Sequence, residues 1–116
     1  MMPLTPGTRG LINADVFAAL KPGTKFVNAS RGDVVDEEAL IAALQSGHLG
    51  GATLDVFIKE PLAPEHPFWA MENVYITPHL ASITVPTSAA KDVAESIRRV
   101  NAGAAPLHQI NPKAGF

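Results

Sequence analysis

An arginine, a glutamate and a histidine stand just beyond three short apolar runs in this 116-residue chain. Arg31 follows the run Lys25 to Ala29, within Ser30-Arg31-Gly32. Glu60 follows Ala52 to Phe57, within Asp55-Val56-Phe57-Ile58-Lys59-Glu60-Pro61. His79 follows Val74 to Thr77, within Pro78-His79-Leu80-Ala81-Ser82. These three types suit the reduction of a carbonyl group. A guanidinium pairs with a carboxylate through two parallel hydrogen bonds. An imidazole gives or takes a proton near neutral pH, and a glutamate bonded to it would orient the ring. Such a set would hold a 2-oxo acid by its carboxylate and protonate its carbonyl oxygen. The hydride has to come from a cofactor, because no side chain supplies one.

The elements that must position these residues are legible from spacing. The three runs carry β-branched or aromatic residues between Gly, Pro or polar punctuation, and are read as buried strands. Helices are predicted over Ala14 to Leu20 behind the N-cap Asn13, and over Glu37 to Ser46 behind the N-cap Asp36. Val35 and Leu40 are placed to form a hydrophobic staple across the second of these starts. A third helix is predicted from Pro86 to Asn101, with Ala89, Ala90, Val93, Ala94, Ile97 and Val100 on one stripe. Glu95, Arg98 and Arg99 fall off that stripe and read as a solvated face. Strands alternating with helices imply parallel pairing through crossovers, hence an α/β fold. In such sheets ligands bind beyond the carboxyl ends of the strands, where Arg31, Glu60 and His79 all fall. The stretch from Ile58 to Asn73 holds Pro61, Pro64 and Pro67 and shows no helical period beyond a possible turn at Phe68 to Glu72. A long irregular connection of that kind is more often functional than accidental.

Composition narrows the field. The chain is 47% hydrophobic and 17% charged, with a formal net charge of −2. That is globular, and it gives no reason to expect a nucleic-acid or anionic-membrane partner. There is no cysteine, which excludes disulfides and thiolate metal sites. His48, His66 and His108 lack metal-ligand spacing, so no metal is expected. No apolar run approaches the length of a membrane span, and the N-terminus does not have the pattern of a signal peptide; a cytoplasmic location is the expectation.

The stretches Asn28-Ala29-Ser30-Arg31-Gly32-Asp33-Val34-Val35-Asp36, Leu54-Asp55-Val56-Phe57 leading to Glu60-Pro61, and Thr77-Pro78-His79 resemble the signatures of D-isomer-specific 2-hydroxyacid dehydrogenases. Pro3-Leu4-Thr5-Pro6 and Thr8-Arg9-Gly10-Leu11-Ile12-Asn13 fit the same family, so the resemblance covers nearly the whole chain. It implies Arg31 as ligand of the substrate carboxylate, His79 as general acid and Glu60 as its partner. It implies NAD(H) or NADP(H) as cofactor, with Asp55 accepting from the nicotinamide carboxamide. Ala29, Ser30 and Ala81 would line the nicotinamide, and Pro3, Leu4 and Thr5 would lie near the adenosine side. The short interval from Glu60 to His79, with His66-Pro67-Phe68-Trp69 inside it, is most similar to the glyoxylate/hydroxypyruvate reductase branch. The implied substrate is a small 2-oxo or 2-hydroxy acid.

Other readings stand beside these. Arg31 could pair with Asp33 or Asp36, Glu60 could be a surface carboxylate, and His79 an ordinary loop histidine. Asp55 could be a capping carboxylate. Asp33, Asp36, Glu37 and Glu38 crowd a helix start and read as structural; Phe68 and Trp69 read as packing. None of the glycines forms the G-x-G-x-x-G turn that would hold a pyrophosphate. Residues 1–116 are therefore expected to be the C-terminal part of a Rossmann-type NAD(P)-binding domain, a partial sheet of about three strands truncated on its N-terminal side. The glycine-rich loop and the substrate domain are then absent. A chain with a cut sheet edge is expected to self-associate as a homo-oligomer such as a dimer, or to pair with the missing part of its parent. Activity of the isolated chain is doubtful on this account. A non-catalytic, truncated fragment and a redox-sensing corepressor are the alternatives in function.

Overall fold

The computed structural model describes residues 2–111 and 113. The chain divides into two compact units, Met1–Ala81 and Ser82–Phe116.

The first unit holds α1 (Ala14–Ala19), β1 (Thr24–Asn28), α2 (Glu37–Gln45), β2 (Leu49–Leu54) and β3 (Val74–Ile76). The strands form one parallel sheet in the order β1-β2-β3. This is the expected α/β arrangement. Both helices begin where their caps dictate. The Asn13 side chain accepts from Val16 N–H at 3.1 Å, and Asp36 accepts from Ala39 N–H at 3.1 Å. Each bond satisfies one of the amides that a first helical turn leaves without a partner. Val35 and Leu40 are both buried in the same cluster, as the staple requires.

The second strand lies three residues earlier than its composition suggests, at Leu49–Leu54 rather than Ala52 to Phe57. Gly50 and Gly51 look like punctuation, yet both lie inside the strand because neighbouring backbone leaves no room for a side chain. A Cβ on Gly50 would sit 2.6 Å from the Gly23 carbonyl oxygen, and one on Gly51 would sit 2.7 Å from that of Asn73. The register slips there as well: Thr24 faces Leu49, but Lys25 faces Gly51. Glycine in a strand commonly marks such a bulge or close approach, and Gly51 has φ +153°. Past the end of β2, Asp55 N–H still donates to the Asn28 carbonyl at 2.9 Å, and Val56 and Phe57 lie beyond the ladder, so the chain can turn toward the site.

The core gathers Phe17 of α1, Leu40 and Leu44 of α2, Leu49 and Leu54 of β2, and Phe57 and Phe68 from the long connection. Phe17 meets Phe26 of β1 edge-on, with ring centroids 5.3 Å apart. This cluster occupies one face of the sheet. On the other, Lys25, Val27 and Tyr75 are exposed, Val27 at 66% and Tyr75 at 69%. Parallel strands are ordinarily covered on both faces, so this face is open in the chain as it stands. Residues 55–73 contain only a 3-10 turn, Pro67–Ala70, one residue earlier than the turn read from sequence. A further clasp joins the segment before α1 to the segment before α2. Ile12 bridges Val35 in parallel fashion, Ile12 N–H donates to Val34 O, and Asp36 N–H donates to Ile12 O.

The second unit is built on α3 (Pro86–Asn101), with the predicted boundaries. Its apolar stripe is exposed, Val93, Ile97 and Val100 each by more than half. Glu95 pairs with Arg98 and Arg99 one turn on, which is the expected solvated charge cluster. His108 lies 3.6 Å from Asp92. Among the described residues, no helix is long and apolar enough to cross a membrane, and no cluster of three or more His, Asp or Glu could hold a metal ion.

Candidate active site

Three loops meet at the carboxyl ends of the strands. The first starts at Asn28, the last residue of β1, which is buried. Its side-chain oxygen accepts from Ser30 N–H at 3.1 Å and from the Ser30 hydroxyl at 3.0 Å. Its amide nitrogen donates to the Arg31 carbonyl at 3.1 Å. One side chain thus folds the turn from Ala29 to Arg31 back on the strand end, as Asx turns do. Arg31 is exposed, and its guanidinium donates to the Ser30 carbonyl at 2.7 Å. It pairs with neither Asp33 nor Asp36: Asp33 forms an ion pair with Arg9, and Asp36 caps α2.

Gly32 brings the first loop against the second. A Cβ there would lie 2.0 Å from the Phe57 carbonyl carbon and 2.2 Å from its oxygen. Backbone meets backbone at that point, and only glycine allows it. The contact sets the Arg31 turn beside the segment that leads to Glu60.

Asp55 is the first residue past β2 and is 4% exposed. A buried carboxylate needs donors, and it has them. One oxygen accepts from the Thr77 hydroxyl and from Leu80 N–H at 2.9 Å; the other accepts from Ala81 N–H at 2.9 Å. These bonds, led by that from Thr77 and then by that from Ala81, hold its pKa below the ordinary aspartate value against the opposing effect of burial. Asp55 therefore caps the loop that carries His79.

Glu60 folds back across its own turn. One carboxylate oxygen accepts from Phe57 N–H at 2.9 Å, and the other lies 2.8 Å from His79 Nδ1. The His79 bond is the largest influence lowering the Glu60 pKa, followed by the Phe57 amide; the charges of His79 and Arg31 add smaller contributions. His79 has φ +54°, a backbone region uncommon outside glycine. Such conformations gather at functional sites, where the surroundings enforce them; here Asp55 holds the two residues that follow. With Nδ1 engaged by a carboxylate, Nε2 of His79 is the nitrogen left to exchange a proton. Both members are solvent-accessible, His79 at 43% and Glu60 at 36% of the side chain.

Beside the pair lies a cavity of about 270 Å³, lined by Glu60, His79, Phe57, Leu62, Trp69 and Ile76 among others. Phe68 is a core residue, as expected. Trp69 differs from the packing expectation: it is 55% exposed, and its indole N–H donates to the Ala63 carbonyl at 2.9 Å. Pro3 and Thr5 lie in a turn organised by Thr8, whose hydroxyl donates to Pro3 O at 2.8 Å and accepts from Thr5 N–H at 2.8 Å. Their neighbour Met2 shares a second cleft with Ala29 and Ser30, which brings the N-terminal segment toward the end of β1. His48 contacts the Phe17 carbonyl at 2.9 Å and takes no part in the site. Asn28 and Thr77 are the positioning residues that sequence reasoning passed over. A polar residue ending a buried strand, and a hydroxyl beside Pro78-His79, were the available signals.

Residues 1–81 match the family described as D-isomer specific 2-hydroxyacid dehydrogenase, NAD binding domain. The chain belongs to this family. It is 40% identical over its full 116 residues to a glyoxylate/hydroxypyruvate reductase A of Photorhabdus laumondii, and 42% identical to one of Serratia proteamaculans. In each case it spans 37% of the relative's length. Among solved structures, a D-isomer specific 2-hydroxyacid dehydrogenase from Xanthobacter autotrophicus Py2, in complex with NADPH and MES, is 58% identical with a TM-score of 0.97. All of this chain and 48% of that one are matched. An NADPH-dependent glyoxylate/hydroxypyruvate reductase from Sinorhizobium meliloti, in complex with NADP and sulfate, is 42% identical with a TM-score of 0.93, over 100% of this chain and 38% of that one. The Photorhabdus, Serratia and Sinorhizobium relatives carry the name of the glyoxylate/hydroxypyruvate reductase branch, the one suggested by the Glu60-to-His79 interval.

Proposed function

We propose that this chain is the catalytic portion of an NAD(P)H-dependent reductase of small 2-oxo acids resembling glyoxylate or hydroxypyruvate. It would form the C-terminal part of a Rossmann-type domain, working with a glycine-rich turn and a substrate domain that these 116 residues do not contain. The observation that carries the reading is the Glu60–His79 pair, 2.8 Å apart, at the sheet edge where Arg31 also emerges.

In this mechanism Arg31 binds the substrate carboxylate through its planar fork, which orients the neighbouring carbonyl. Glu60 holds His79 Nδ1–H, so that Nε2 faces the substrate and donates its proton to the carbonyl oxygen. A reduced nicotinamide, when bound, would supply the hydride that the carbonyl carbon receives. The 2-hydroxy acid leaves, and His79 takes up a proton from water. The residues at the edge suit a nicotinamide in one testable respect. A carboxylate offers about four acceptor positions, and Asp55 uses three of them on Thr77, Leu80 and Ala81. The one left could accept from a carboxamide N–H, with Ala29, Ser30 and Ala81 lining the ring and Pro3, Leu4 and Thr5 near the adenosine side.

The test is oxidation of NADH and NADPH in the presence of glyoxylate or hydroxypyruvate, using the longest form of the protein in which this chain occurs. Substrate-dependent oxidation lost in Arg31→Ala and His79→Ala supports the proposal; no oxidation with any small 2-oxo acid refutes it. A second reading, a self-associating module without catalysis, draws on the open sheet face at Val27 and Tyr75. Sedimentation of the 116-residue chain as a non-associating monomer would remove that reading.

A further inference from the structure

The connection that carries Glu60, residues 58–73, has little regular structure of its own, so something else must hold it. His66 sits at its centre with 16% of its side chain exposed. Its Nδ1 accepts from Phe68 N–H at 3.3 Å, capping the 3-10 turn, and its Nε2 lies 3.1 Å from Glu37 Oε1 at the first residue of α2. A ring nitrogen that accepts an N–H carries no proton, so the proton of the neutral ring is on Nε2 and is donated to Glu37. The imidazole is thus a rigid bridge between α2 and the loop.

From His66 the contacts lead to the candidate catalytic pair. The ring lies 4.6 Å from Phe68, which is 2% exposed, and Phe68 lies 6.4 Å from Phe57. The Phe57 amide is the group that fixes one oxygen of Glu60, whose other oxygen holds His79. We propose that His66 is a positioning residue for the Glu60–His79 pair, acting through its cap on the Phe68 amide and onward through Phe68 and Phe57. The inference rests on the reading of that pair as the proton donor and its orienter.

The two bonds of His66 can be separated by substitution. His66→Asn places an oxygen near the former Nδ1 and keeps the cap on Phe68, but does not reach Glu37. His66→Gln reaches Glu37 but loses the cap. The readout is the titration of the Glu60 side-chain carboxyl, followed by carbon-13 NMR in the 116-residue chain, with Asp55 as internal control because its donors come from the His79 loop. His66→Ala and His66→Gln are expected to raise the Glu60 midpoint by about half a pH unit or more, with Asp55 unmoved and with His66→Asn nearer the wild type. In an active longer form, kcat should fall by roughly 10-fold while KM for the 2-oxo acid stays level, as expected for misplacement of the proton donor without damage to Arg31. An unmoved Glu60 midpoint in all variants overturns the inference. If His66→Ala does not fold, the Asn and Gln variants decide alone: equal Glu60 midpoints in the two overturn it. The titration does not depend on turnover, so its failure is distinct from a failure of the proposed reductase activity.

Discussion

At the residue scale, the placement of Arg31, Glu60 and His79 past the carboxyl ends of the strands was legible from the three apolar runs that precede them. Asn28 and Thr77 were not, because what they do depends on where a loop returns. No spacing announces that the Thr77 hydroxyl will meet Asp55 across 22 residues. Asp55 caps the His79 loop through three accepted bonds and keeps one acceptor position, so its two readings are compatible. Its lowered pKa and that of Glu60 have a consequence for acid stability. A carboxyl with a depressed folded value adds stability that is fully present above its unfolded value. That stability is lost as pH falls through the folded value. Denaturant unfolding should therefore show a plateau above about pH 5 and a decline as pH falls through the lowered folded values. Asp55→Asn should lower the plateau, since an amide cannot accept all three bonds, and should flatten the decline. An unchanged acid slope in this variant would count against the assignment.

At the scale of elements, the caps and apolar stripes gave helices within a residue of their observed ends, since those signals act within a few residues of themselves. Strand β2 was displaced because Gly50 and Gly51 are demanded by approaching backbone from Gly23 and Asn73, a contact that local composition does not contain. Gly32 belongs to the same class and has the larger functional weight. Gly32→Ala should force the Arg31 turn away from Phe57, destabilising the chain by about 1–3 kcal/mol as overpacking does. Thermal unfolding indistinguishable from wild type would show that the two loops can part freely. Removing the α2 cap is a milder change. Asp36→Ala should cost about 1 kcal/mol, measurable as a lower denaturant midpoint with an unchanged slope.

At the scale of the whole molecule, the sheet presents one packed face and one open one, and the chain spans 37% of the length of the curated relatives it matches. The family and its α/β class were legible because four ordered motifs lie along 116 residues. Choice of NADH or NADPH, and of the particular 2-oxo acid, was not, because the 116 residues hold no G-x-G-x-x-G pattern from which to read a nucleotide site. The 116-residue chain by itself should bind either nucleotide feebly, having no helix N-terminus behind a glycine turn to hold the pyrophosphate. Isothermal titration giving a micromolar dissociation constant would contradict this.

In the proposed mechanism His79, held by Glu60, is the proton donor of a 2-oxo acid reduction. Steady-state reduction of glyoxylate by the longest form of the protein, wild type against His79→Ala, tests it most directly. kcat is expected to fall by about 100-fold or more in the variant. A His79→Ala protein that reduces glyoxylate at nearly the wild-type rate would contradict it.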